Sequence, residues 1–322
     1  MKRISEYQAL AEAEIRAINL PKGNLEGLYA PVEYGMQAGG KRLRPTLVLM
    51  TAEAFGQDPQ KALWPATGIE MFHNFTLLHD DVMDKSDTRR GRPTVHSKWD
   101  ANTAILSGDT MLTLATKLIA DVDDSILRPV LDAFNDQALR VYEGQRLDMD
   151  FERKEVVGLE EYIDMIKAKT GALLGGAAKI GALIGGASKE DADRMYDFGV
   201  MLGVAFQIED DYLDTFGSAE TFGKPIGGDI NNNKKTFLMV KALSMGGANA
   251  EALKVAMKMP AGPTKVKTVT RIYEAMGMPA ISKAEAAAYG SKALTAIKKT
   301  SLSDEAREAY RKLIEKLIGR SK

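Results

Sequence analysis

Apolar residues recur at helical spacing along most of the chain, whereas the alternation typical of strands is sparse. None of the eleven prolines lies between positions 130 and 224, so long helices are allowed there. The pattern predicts helices over residues 4–18, 25–37, 45–56, 60–84, 97–119, 125–152, 159–185, 189–215, 230–244, 264–276, 280–298 and 303–319. No linker or block of charge divides the chain. We therefore expect an all-α fold, one large helical bundle that forms a single domain over 1–322.

The composition excludes several classes of protein. A formal net charge of −1 leaves no basic surplus for binding nucleic acid. The lack of cysteine rules out disulfides and thiolate sites. Only three histidines are present, so we expect any metal ion to be bound by oxygen.

Two segments bear on targeting and membranes. The N-terminal sequence MKRISEYQALAEAEI is charged and amphipathic, without the apolar core of a signal peptide, and we expect a cytoplasmic protein. The stretch TGALLGGAAKIGALIGGAS is interrupted by Lys179 and diluted by glycines, so we expect no membrane span. Its small residues instead indicate a helix that another helix approaches closely.

Carboxylates end an otherwise apolar predicted helix in the segment LLHDDVMDKSDTRRGRP. At about 100° per residue, Asp84 lies about 40° from Asp80, and His73 and Thr76 fall on the same stripe of the helix. Asp81 lies about 100° from that stripe. Carboxylates repel one another and are unfavourable at the negative end of a helix dipole, so this pattern indicates a bound cation.

A second segment, QIEDDYLD, repeats the arrangement later in the chain. Asp210, Asp211 and Asp214 have the same i, i+1, i+4 spacing, and Gly203 and Gln207 share the stripe of the outer aspartates. One such motif would be weak evidence, because acidic residues often form a solvated helix face. Two of them, each near the end of an apolar helix, favour Mg²⁺ shared between carboxylates and substrate phosphates. Acid clusters with a purely structural role are the alternative.

Cationic side chains elsewhere complete a pattern suited to phosphate. They occur in GGKRLRP, after the first aspartate motif, in mid-chain and in a Gly-rich segment: Lys41, Arg42, Arg44, Arg89, Arg90, Lys169, Lys224 and Lys234. Each one alone would be read as a surface charge. Together with Mg²⁺ they suit two diphosphates, because arginine binds phosphate oxygens through paired hydrogen bonds.

With these motifs in order, the chain resembles the trans-isoprenyl diphosphate synthases, or polyprenyl synthetases, the family of farnesyl and geranylgeranyl diphosphate synthases. The resemblance covers about residues 30–240 and rests on GGKRLRP, LLHDDVMD with RRGRPTVH, GQRLD, KT, QIEDDYLD and GKPIGGDINNNK. The C-terminal third adds no motif. The resemblance implies a helical bundle of the isoprenoid synthase type with a central cavity, and a homodimer.

The resemblance also implies a role for each matching residue. Asp80, Asp84 and Asp210 would bind Mg²⁺, about three ions with substrate present, with Asp81, Asp211 and Asp214 in second rank. The allylic diphosphate would contact Arg89, Lys169, Lys224 and Lys234, and isopentenyl diphosphate would contact Lys41, Arg44, His73 and Arg90. Lys169, Thr170 and Gln207 would be catalytic, the last two beside the developing allylic cation. Gln145 and Asp148 would lie near the same cavity.

The implied reaction condenses isopentenyl diphosphate with dimethylallyl, geranyl or farnesyl diphosphate. The allylic C–O bond ionises, the isopentenyl double bond attacks the cation, and the released diphosphate takes the departing proton. Mg²⁺ and cationic side chains stabilise the leaving diphosphate, so no protein base or nucleophile is required. This accounts for a pattern rich in Asp, Lys and Arg without a catalytic triad.

Product length is expected to depend on Phe75 and Thr76, which lie five and four residues before Asp80. By resemblance, an aromatic residue at the first position closes the pocket in short-chain enzymes. The motif also lacks the two-residue insertion common in bacterial-type farnesyl synthases. Both features favour a C20 product, with C15 next. Because Phe75 lies about 140° from Asp80 on an ideal helix, a role as a core aromatic is the alternative.

Two other functions stay open at this point. A class I terpene cyclase shares the fold and one DDxxD motif, but its second metal motif usually has the form NDxxSxxxE, where this chain has DDYLD. A non-catalytic partner of another prenyl synthase would typically lack one aspartate motif, and both are intact here. His79 lies about 100° from the aspartate stripe, so we expect it either to pack in the core or to support the site without binding the ligand.

Overall fold

The computed structural model describes residues 1–218 and 226–319, and the predicted all-α fold class is confirmed. The helices are α1 (Ile4–Ala17), α2 (Glu26–Met36), α3 (Leu43–Ala54), α4 (Leu63–Met83), α5 (Val95–Lys98), α6 (Ala101–Ile119), α7 (Asp124–Arg153), α8 (Leu159–Ile166), α9 (Ala172–Ile184), α10 (Lys189–Phe216), α11 (Gly228–Asn231), α12 (Phe237–Met245), α13 (Gly247–Met257), α14 (Pro263–Ala275), α15 (Met278–Lys298) and α16 (Asp304–Ile318). Short 3₁₀ helices cover Gly23–Leu25 and Pro59–Ala62, and a π-helical turn covers Lys167–Gly171. Strands β1 (Thr88–Arg89) and β2 (Arg92–Pro93) form an antiparallel hairpin that the sequence pattern does not predict.

Most predicted helix boundaries lie within a few residues of the observed ones, and the clearest errors have local causes. The pattern does not predict α13, because two adjacent glycines, Gly246 before it and Gly247 at its first position, are typical of a break in a helix. Their φ angles are 67° and 79°. The predicted helix over 230–244 is wrong at its start. There α12 begins only after Thr236, whose hydroxyl accepts a backbone N–H of the first turn.

The chain divides into two compact units. Unit 1 contains Met1–Gln137, Gly176–Tyr196 and Lys299–Ala309. Unit 2 contains Ala138–Gly175, Asp197–Lys298 and Tyr310–Lys322. The first aspartate motif belongs to unit 1 and the second to unit 2. The expected single domain with a central cavity stays a prediction.

The core of unit 1 is built on α4, which packs against α1, α2, α3 and α6. Residues 65–72 of this helix are all buried. The ring of Phe72 packs edge-on against Phe134 at a centroid distance of 5.2 Å. Gly68 lets α6 approach closely, because a Cβ there would lie 2.8 Å from the carbonyl oxygen of Ala115. A deeply buried helix thus carries the first aspartate motif at its C-terminal end.

The small-residue stretch forms α9, where its glycines serve helix packing. A Cβ on Gly181 would lie 2.5 Å from the carbonyl oxygen of Val48, and one on Gly185 would lie 2.9 Å from that of Ala52. This close approach of α9 to α3 confirms the packing interpretation. Across the described part of the chain, no helix combines the length and apolar character that crossing a membrane would require.

The core of unit 2 gathers aromatic side chains from several helices, among them Phe151, Tyr162 and Phe237. Helix α10 passes close to the π-helical turn, because a Cβ on Gly203 would lie 2.5 Å from the Cα of Gly171. The second aspartate motif and the KT motif are therefore neighbours within this unit.

Candidate active site

The first aspartate motif is followed by a tight reversal of the chain. Lys85 has a φ angle of 52° just beyond α4, and Arg90 and Gly91 have φ angles of 53° and 71° between β1 and β2. Two positive φ values in a two-residue hairpin loop are typical of a type I′ turn. Positive φ is uncommon for arginine and is often found where a side chain has a functional position. The turn directs Arg89 and Arg90 back toward the protein.

Asp81 and Arg89 form an ion pair at the end of α4. The Arg89 Nε lies 2.9 Å from both carboxylate oxygens, and Nη2 lies 2.7 Å from Oδ1. Burial alone would lower the pKa of Arg89, but hydrogen bonds and charge from Asp81, with the charges of Asp80 and Asp84, raise it. Asp81 is 4% exposed, whereas Asp80 is half-buried and Asp84 is exposed. The outer aspartates are thus the accessible ones, in agreement with the helical stripe.

Four arginines act on the histidine of the same stripe. We name Arg42, Arg44, Arg89 and Arg90 the basic cluster. Burial, followed by the charges of these arginines, lowers the pKa of His73 well below its ordinary value. Burial and neighbouring arginines also lower the pKa of Arg90. The structure therefore brings together three of the residues predicted to bind isopentenyl diphosphate, Arg44, His73 and Arg90.

The double glycine of GGKRLRP makes room for Arg90. The Arg90 Nη1 donates a hydrogen bond to the carbonyl oxygen of Gly39. A Cβ on Gly40 would lie 2.8 Å from the same nitrogen, and both glycines have positive φ angles, 77° and 133°. Two motifs far apart in the sequence, GGKRLRP and RRGRP, thus form one feature of unit 1.

Arg42 differs from the other arginines of the basic cluster because its guanidinium is engaged by groups of the protein itself. It is 4% exposed and donates hydrogen bonds to Glu12 at 2.7 Å, to Glu70 at 2.8 Å and to the carbonyl oxygen of Met36 at 2.8 Å. The adjacent Lys41 is exposed, as a ligand-binding role requires. Sequence reasoning missed Glu70, although a single carboxylate in the apolar first half of α4 was a signal for a buried partner.

The π-helical turn carries the KT motif and contacts the GQRLD motif. Such turns are frequent at functional sites, because they widen the helix locally. Gly144 packs directly on the turn, since a Cβ there would lie 2.6 Å from the Cα of Lys169. Asp148 accepts a 2.6 Å hydrogen bond from the Lys169 ammonium. The side-chain oxygen of Gln145 is buried and accepts no hydrogen bond from the described residues.

A chain of hydrogen bonds connects the KT motif to the second aspartate motif. The Thr170 hydroxyl donates to Gln207 Oε1 at 3.1 Å. The Gln207 amide nitrogen then donates to Asp211 Oδ1 at 2.9 Å. The two side chains predicted to lie beside the allylic cation are thus in direct contact.

Asp211 is buried and receives hydrogen bonds from two further groups. Its Oδ2 accepts from the Tyr162 hydroxyl at 2.6 Å and from the Phe237 backbone N–H at 2.7 Å. Burial, with the charge of Asp229, raises the pKa of Asp211 to about 7, and the three hydrogen bonds oppose that rise. Sequence reasoning missed Tyr162. The sequence offered no clear signal for it, because Tyr162 and Asp211 come from helices far apart in the chain.

Asp229 in α11 is hydrogen-bonded to the second aspartate motif. Asp214 Oδ2 accepts from the Asp229 backbone N–H at 3.1 Å, and the carbonyl oxygen of Asp229 accepts from the Lys234 N–H at 2.9 Å. Lys234 and Asp210 are both half-buried, whereas Asp214 is buried. The predicted diphosphate ligand Lys224 lies outside the described residues.

The residues predicted to set product length lie on different sides of α4. Phe75 is 6% exposed and packs edge-on against His79 at a centroid distance of 4.7 Å. His79 Nε2 lies 3.0 Å from the carbonyl oxygen of Ile105 on α6, which agrees with the packing alternative. The half-buried Thr76 donates from its hydroxyl to a backbone carbonyl one turn earlier. Phe75 therefore packs beside His79, the α4 side chain that contacts α6.

The outer aspartates have the donor chemistry that Mg²⁺ requires. Among residues 1–218 and 226–319, no three Asp, Glu or His side chains lie close enough together to hold a metal ion by themselves. Mg²⁺ is usually bound through one or two carboxylates, with phosphate oxygens and water completing the shell. Asp80 with Asp84, one turn apart, and Asp210 in unit 2 fit that mode of binding. Any Mg²⁺ held in this way would be shared with a phosphorylated substrate.

Comparisons with known proteins agree with this chemistry. Residues 26–276 match the polyprenyl synthetase family. The geranylgeranyl diphosphate synthase of Methanosarcina mazei is 42% identical over 229 residues, which cover 70% of this chain and 71% of that protein. The short chain isoprenyl diphosphate synthase of Methanothermobacter thermautotrophicus is 38% identical over 244 residues, 76% of this chain and 75% of that protein.

Solved structures extend the similarity to the whole chain. A crystal structure of a geranylgeranyl pyrophosphate synthase has 40% identity and a TM-score of 0.94, and covers 100% of both chains. The geranylgeranyl pyrophosphate synthetase of Pyrococcus horikoshii has 33% identity and a TM-score of 0.89, and covers 98% of this chain and 96% of that one. The similarity therefore includes the C-terminal third, where the sequence offers no motif.

Proposed function

We propose that the protein condenses isopentenyl diphosphate with an allylic diphosphate to give a C20 product. The chain belongs to the polyprenyl synthetase family and is a prenyltransferase. The basic cluster around His73, beside Asp80 and Asp84, is the observation that supports this most strongly. The arginines offer cationic groups for diphosphates, and the two aspartates beside them offer carboxylates for Mg²⁺. Two observations support a product of 20 carbons: the relatives named geranylgeranyl diphosphate or pyrophosphate synthase, and the aromatic side chain of Phe75 five residues before Asp80.

The two diphosphates are assigned to different cationic groups. Isopentenyl diphosphate is bound by Lys41, Arg44, His73 and Arg90, and the allylic diphosphate by Arg89, Lys169, Lys224 and Lys234. Arg89 is held by its ion pair with Asp81, so little reorganisation is needed when the substrate arrives. In the same way, Asp148 holds the Lys169 ammonium in unit 2.

Ionisation breaks the allylic C–O bond, and the electron pair leaves with the diphosphate. Cationic side chains that are already in place stabilise the charge that develops there. Mg²⁺ held by Asp80, Asp84 and Asp210 would supply further charge stabilisation when bound. Thr170 and Gln207 present oxygen atoms to the allylic cation. The isopentenyl double bond attacks that cation, and the proton lost afterwards passes to the released diphosphate.

Three finer points belong to the same proposal. The substrate-bound enzyme holds about three Mg²⁺ ions, as expected for a site that shares metal with diphosphates. The protein is a homodimer, and it acts in the cytoplasm. These points are supported by the resemblance to the family.

Product analysis tests the proposal. Purified protein is incubated with Mg²⁺, isopentenyl diphosphate and, in separate reactions, dimethylallyl, geranyl and farnesyl diphosphate. We expect diphosphate release and, after dephosphorylation, a C20 alcohol on chromatography. A C15 or C25 alcohol would overturn the product length alone. A cyclised hydrocarbon would indicate a terpene cyclase, and no release of diphosphate would indicate a non-catalytic partner.

A further inference from the structure

The middle aspartate of the second motif has both carboxylate oxygens engaged inside unit 2. Oδ2 accepts hydrogen bonds from the Tyr162 hydroxyl and the Phe237 backbone N–H, and Oδ1 accepts one from the Gln207 side-chain NH₂. We propose that Asp211 is a positioning residue, which fixes the orientation of the Gln207 side-chain amide, and not a metal ligand. The proposal rests on the proposed placement of Gln207 beside the allylic cation.

The chemistry of the amide decides its orientation. The three groups around Asp211 all donate hydrogen bonds to it, and the Gln207 group that faces Asp211 is its NH₂. The amide oxygen then lies on the other side, where it accepts from the Thr170 hydroxyl. Without a fixed acceptor at Asp211, the amide could turn by about 180° and still find partners, because a hydroxyl both donates and accepts. Asp211 therefore determines which Gln207 atom faces Thr170.

The carboxylate is itself held by groups from two other helices. The Tyr162 hydroxyl comes from α8, and the Phe237 N–H belongs to the first turn of α12, where Thr236 caps the helix. The rings of Tyr162 and Phe237 also pack together at a centroid distance of 6.4 Å. Asp211 is consequently locked in one position before substrate binds.

The orientation matters because the two ends of an amide have opposite polarity. An oxygen directed toward a carbocation stabilises it, whereas an NH₂ group in the same place repels it. Preorganised dipoles of this kind act without reorganisation during the reaction. Thr170, which donates its proton to Gln207, keeps its own oxygen lone pairs available for the cation.

Asp211→Asn tests the proposal with almost no change in shape. Asparagine keeps one oxygen, which Tyr162 and Phe237 hold in the Oδ2 position, and places an NH₂ group opposite Gln207. The Gln207 amide must then turn and direct its own NH₂ toward Thr170. We expect kcat to fall roughly 10²-fold. The KM values for both diphosphates should stay within about twofold, because the interaction lost is with the cation alone.

A second substitution should rescue the first. In Asp211→Asn/Gln207→Glu, the new asparagine NH₂ donates to one oxygen of the carboxylate introduced in place of Gln207, and the other oxygen accepts from Thr170. An acceptor again faces the cation, so kcat should rise at least about tenfold above that of either single variant. Gln207→Glu alone places two carboxylates in contact and should be impaired. A merely structural role for Asp211 would not produce this recovery.

An independent readout follows the amide itself. In protein labelled with ¹⁵N-glutamine, the Gln207 NH₂ signal of the wild type should show one proton protected from exchange by Asp211. That protection should be lost in Asp211→Asn and kept in Asp132→Asn, a matched change in an exposed ion pair. The NMR result does not depend on turnover. Absence of turnover by the wild type with the protected signal present would therefore count against the proposed function alone.

Several outcomes would overturn the proposal. The first is Asp211→Asn with kcat within about twofold of wild type. The second is Asp211→Asn activity that excess Mg²⁺ restores, which would identify a metal ligand. Should Asp211→Asn fail to fold, the double variant is compared with Gln207→Glu. A higher kcat in the double variant supports the proposal, and an equal or lower one contradicts it.

Discussion

Aligned on their aspartates, α4 and α10 hold the same motif in different surroundings. In both helices the middle aspartate is buried, with Asp81 4% and Asp211 3% exposed. Asp81 meets the guanidinium of Arg89, whereas Asp211 meets three uncharged donors. Identical spacing in the sequence therefore does not mean identical use. In each unit the middle aspartate fixes a neighbouring polar group, Arg89 in one and Gln207 in the other.

The residues that precede the aspartates also differ between the two helices, with charged surroundings in α4 and uncharged ones in α10. Seven residues before the first aspartate, α4 has His73 within the basic cluster, and α10 has Gly203 against the π-helical turn. Three residues before it, α4 has Leu77 and α10 has Gln207. The stripe of α4 before its aspartates thus lies among cationic side chains, whereas that of α10 carries an uncharged amide. The reaction that we propose needs both, because it creates an anion and a cation together.

The largest expected effect comes from the outer aspartates. Asp80→Ala and Asp210→Ala should each lower kcat roughly 10²–10³-fold, because each removes a carboxylate proposed to hold Mg²⁺ against the leaving diphosphate. Steady-state kinetics at saturating Mg²⁺ measures this effect. Asp87→Ala is the matched control, since Asp87 is exposed and uses its backbone carbonyl to accept from the Thr94 N–H. Retention of half the kcat by either outer variant would contradict the assignment.

The middle aspartates should differ in stability. Asp81→Asn leaves the Arg89 cation without its counter-charge and should lower the free energy of unfolding by about 2–3 kcal/mol, discounted for the partial exposure of Arg89. Asp211→Asn keeps an acceptor for two of its three donors and should cost about 1 kcal/mol. Thermal and urea unfolding of both variants provide the comparison. An equal loss in both would mean that the charge of Arg89 does not distinguish the two motifs.

These buried partnerships mark the limit of what the sequence predicts. Helical periodicity and motif order are local, so they predict the helices, the aspartate stripes and the candidate ligands. The partner of a buried carboxylate depends on packing. Arg89 reaches Asp81 only because Arg90 and Gly91 adopt a hairpin turn, and Tyr162 and Phe237 approach Asp211 from helices distant in sequence. The helical wheel separates the middle aspartates from the outer ones but cannot show what they contact.

A third difference lies five residues before the first aspartate, where α4 has Phe75 and α10 has Ala205. Phe75→Ala should lengthen the product, with about a tenfold rise in the ratio of longer chains to C20, because the resemblance implies that an aromatic residue at this position closes the product pocket. Chromatography of dephosphorylated products measures the ratio. Phe72→Ala is the control, since it removes a neighbouring buried ring that packs on Phe134.

The two variants separate a pocket role from a core role. Both lose a buried aromatic and should be destabilised to a similar extent. Only Phe75→Ala should change product length. If both variants keep C20 as the main product, Phe75 is a core aromatic that packs on Phe72 and His79, and product length is determined elsewhere.

The smallest expected effect concerns His73, which has no titratable counterpart in α10. Burial and the basic cluster lower its pKa in the folded protein, whereas the unfolded chain has the ordinary value near 6.5. The unfolded state therefore binds this proton first as the pH falls. The stability contribution of neutral His73 is complete above about pH 6.5 and is lost below it, by up to about 1.4 kcal/mol per pH unit. His73→Gln should flatten the decline in unfolding free energy between pH 7 and 5.

Binding of inorganic pyrophosphate tests both the pKa of His73 and the difference between α4 and α10. An anion bound by Arg44 and Arg90 would offset the positive charge around His73 and raise the pKa of its imidazole, which NMR titration measures directly. The Gln207 amide signal should keep its protection, because the hydrogen bond from Gln207 to Asp211 does not involve the anion. Loss of that protection with an unchanged pKa of His73 would contradict both the fixed orientation of Gln207 and the anion site at Arg44 and Arg90.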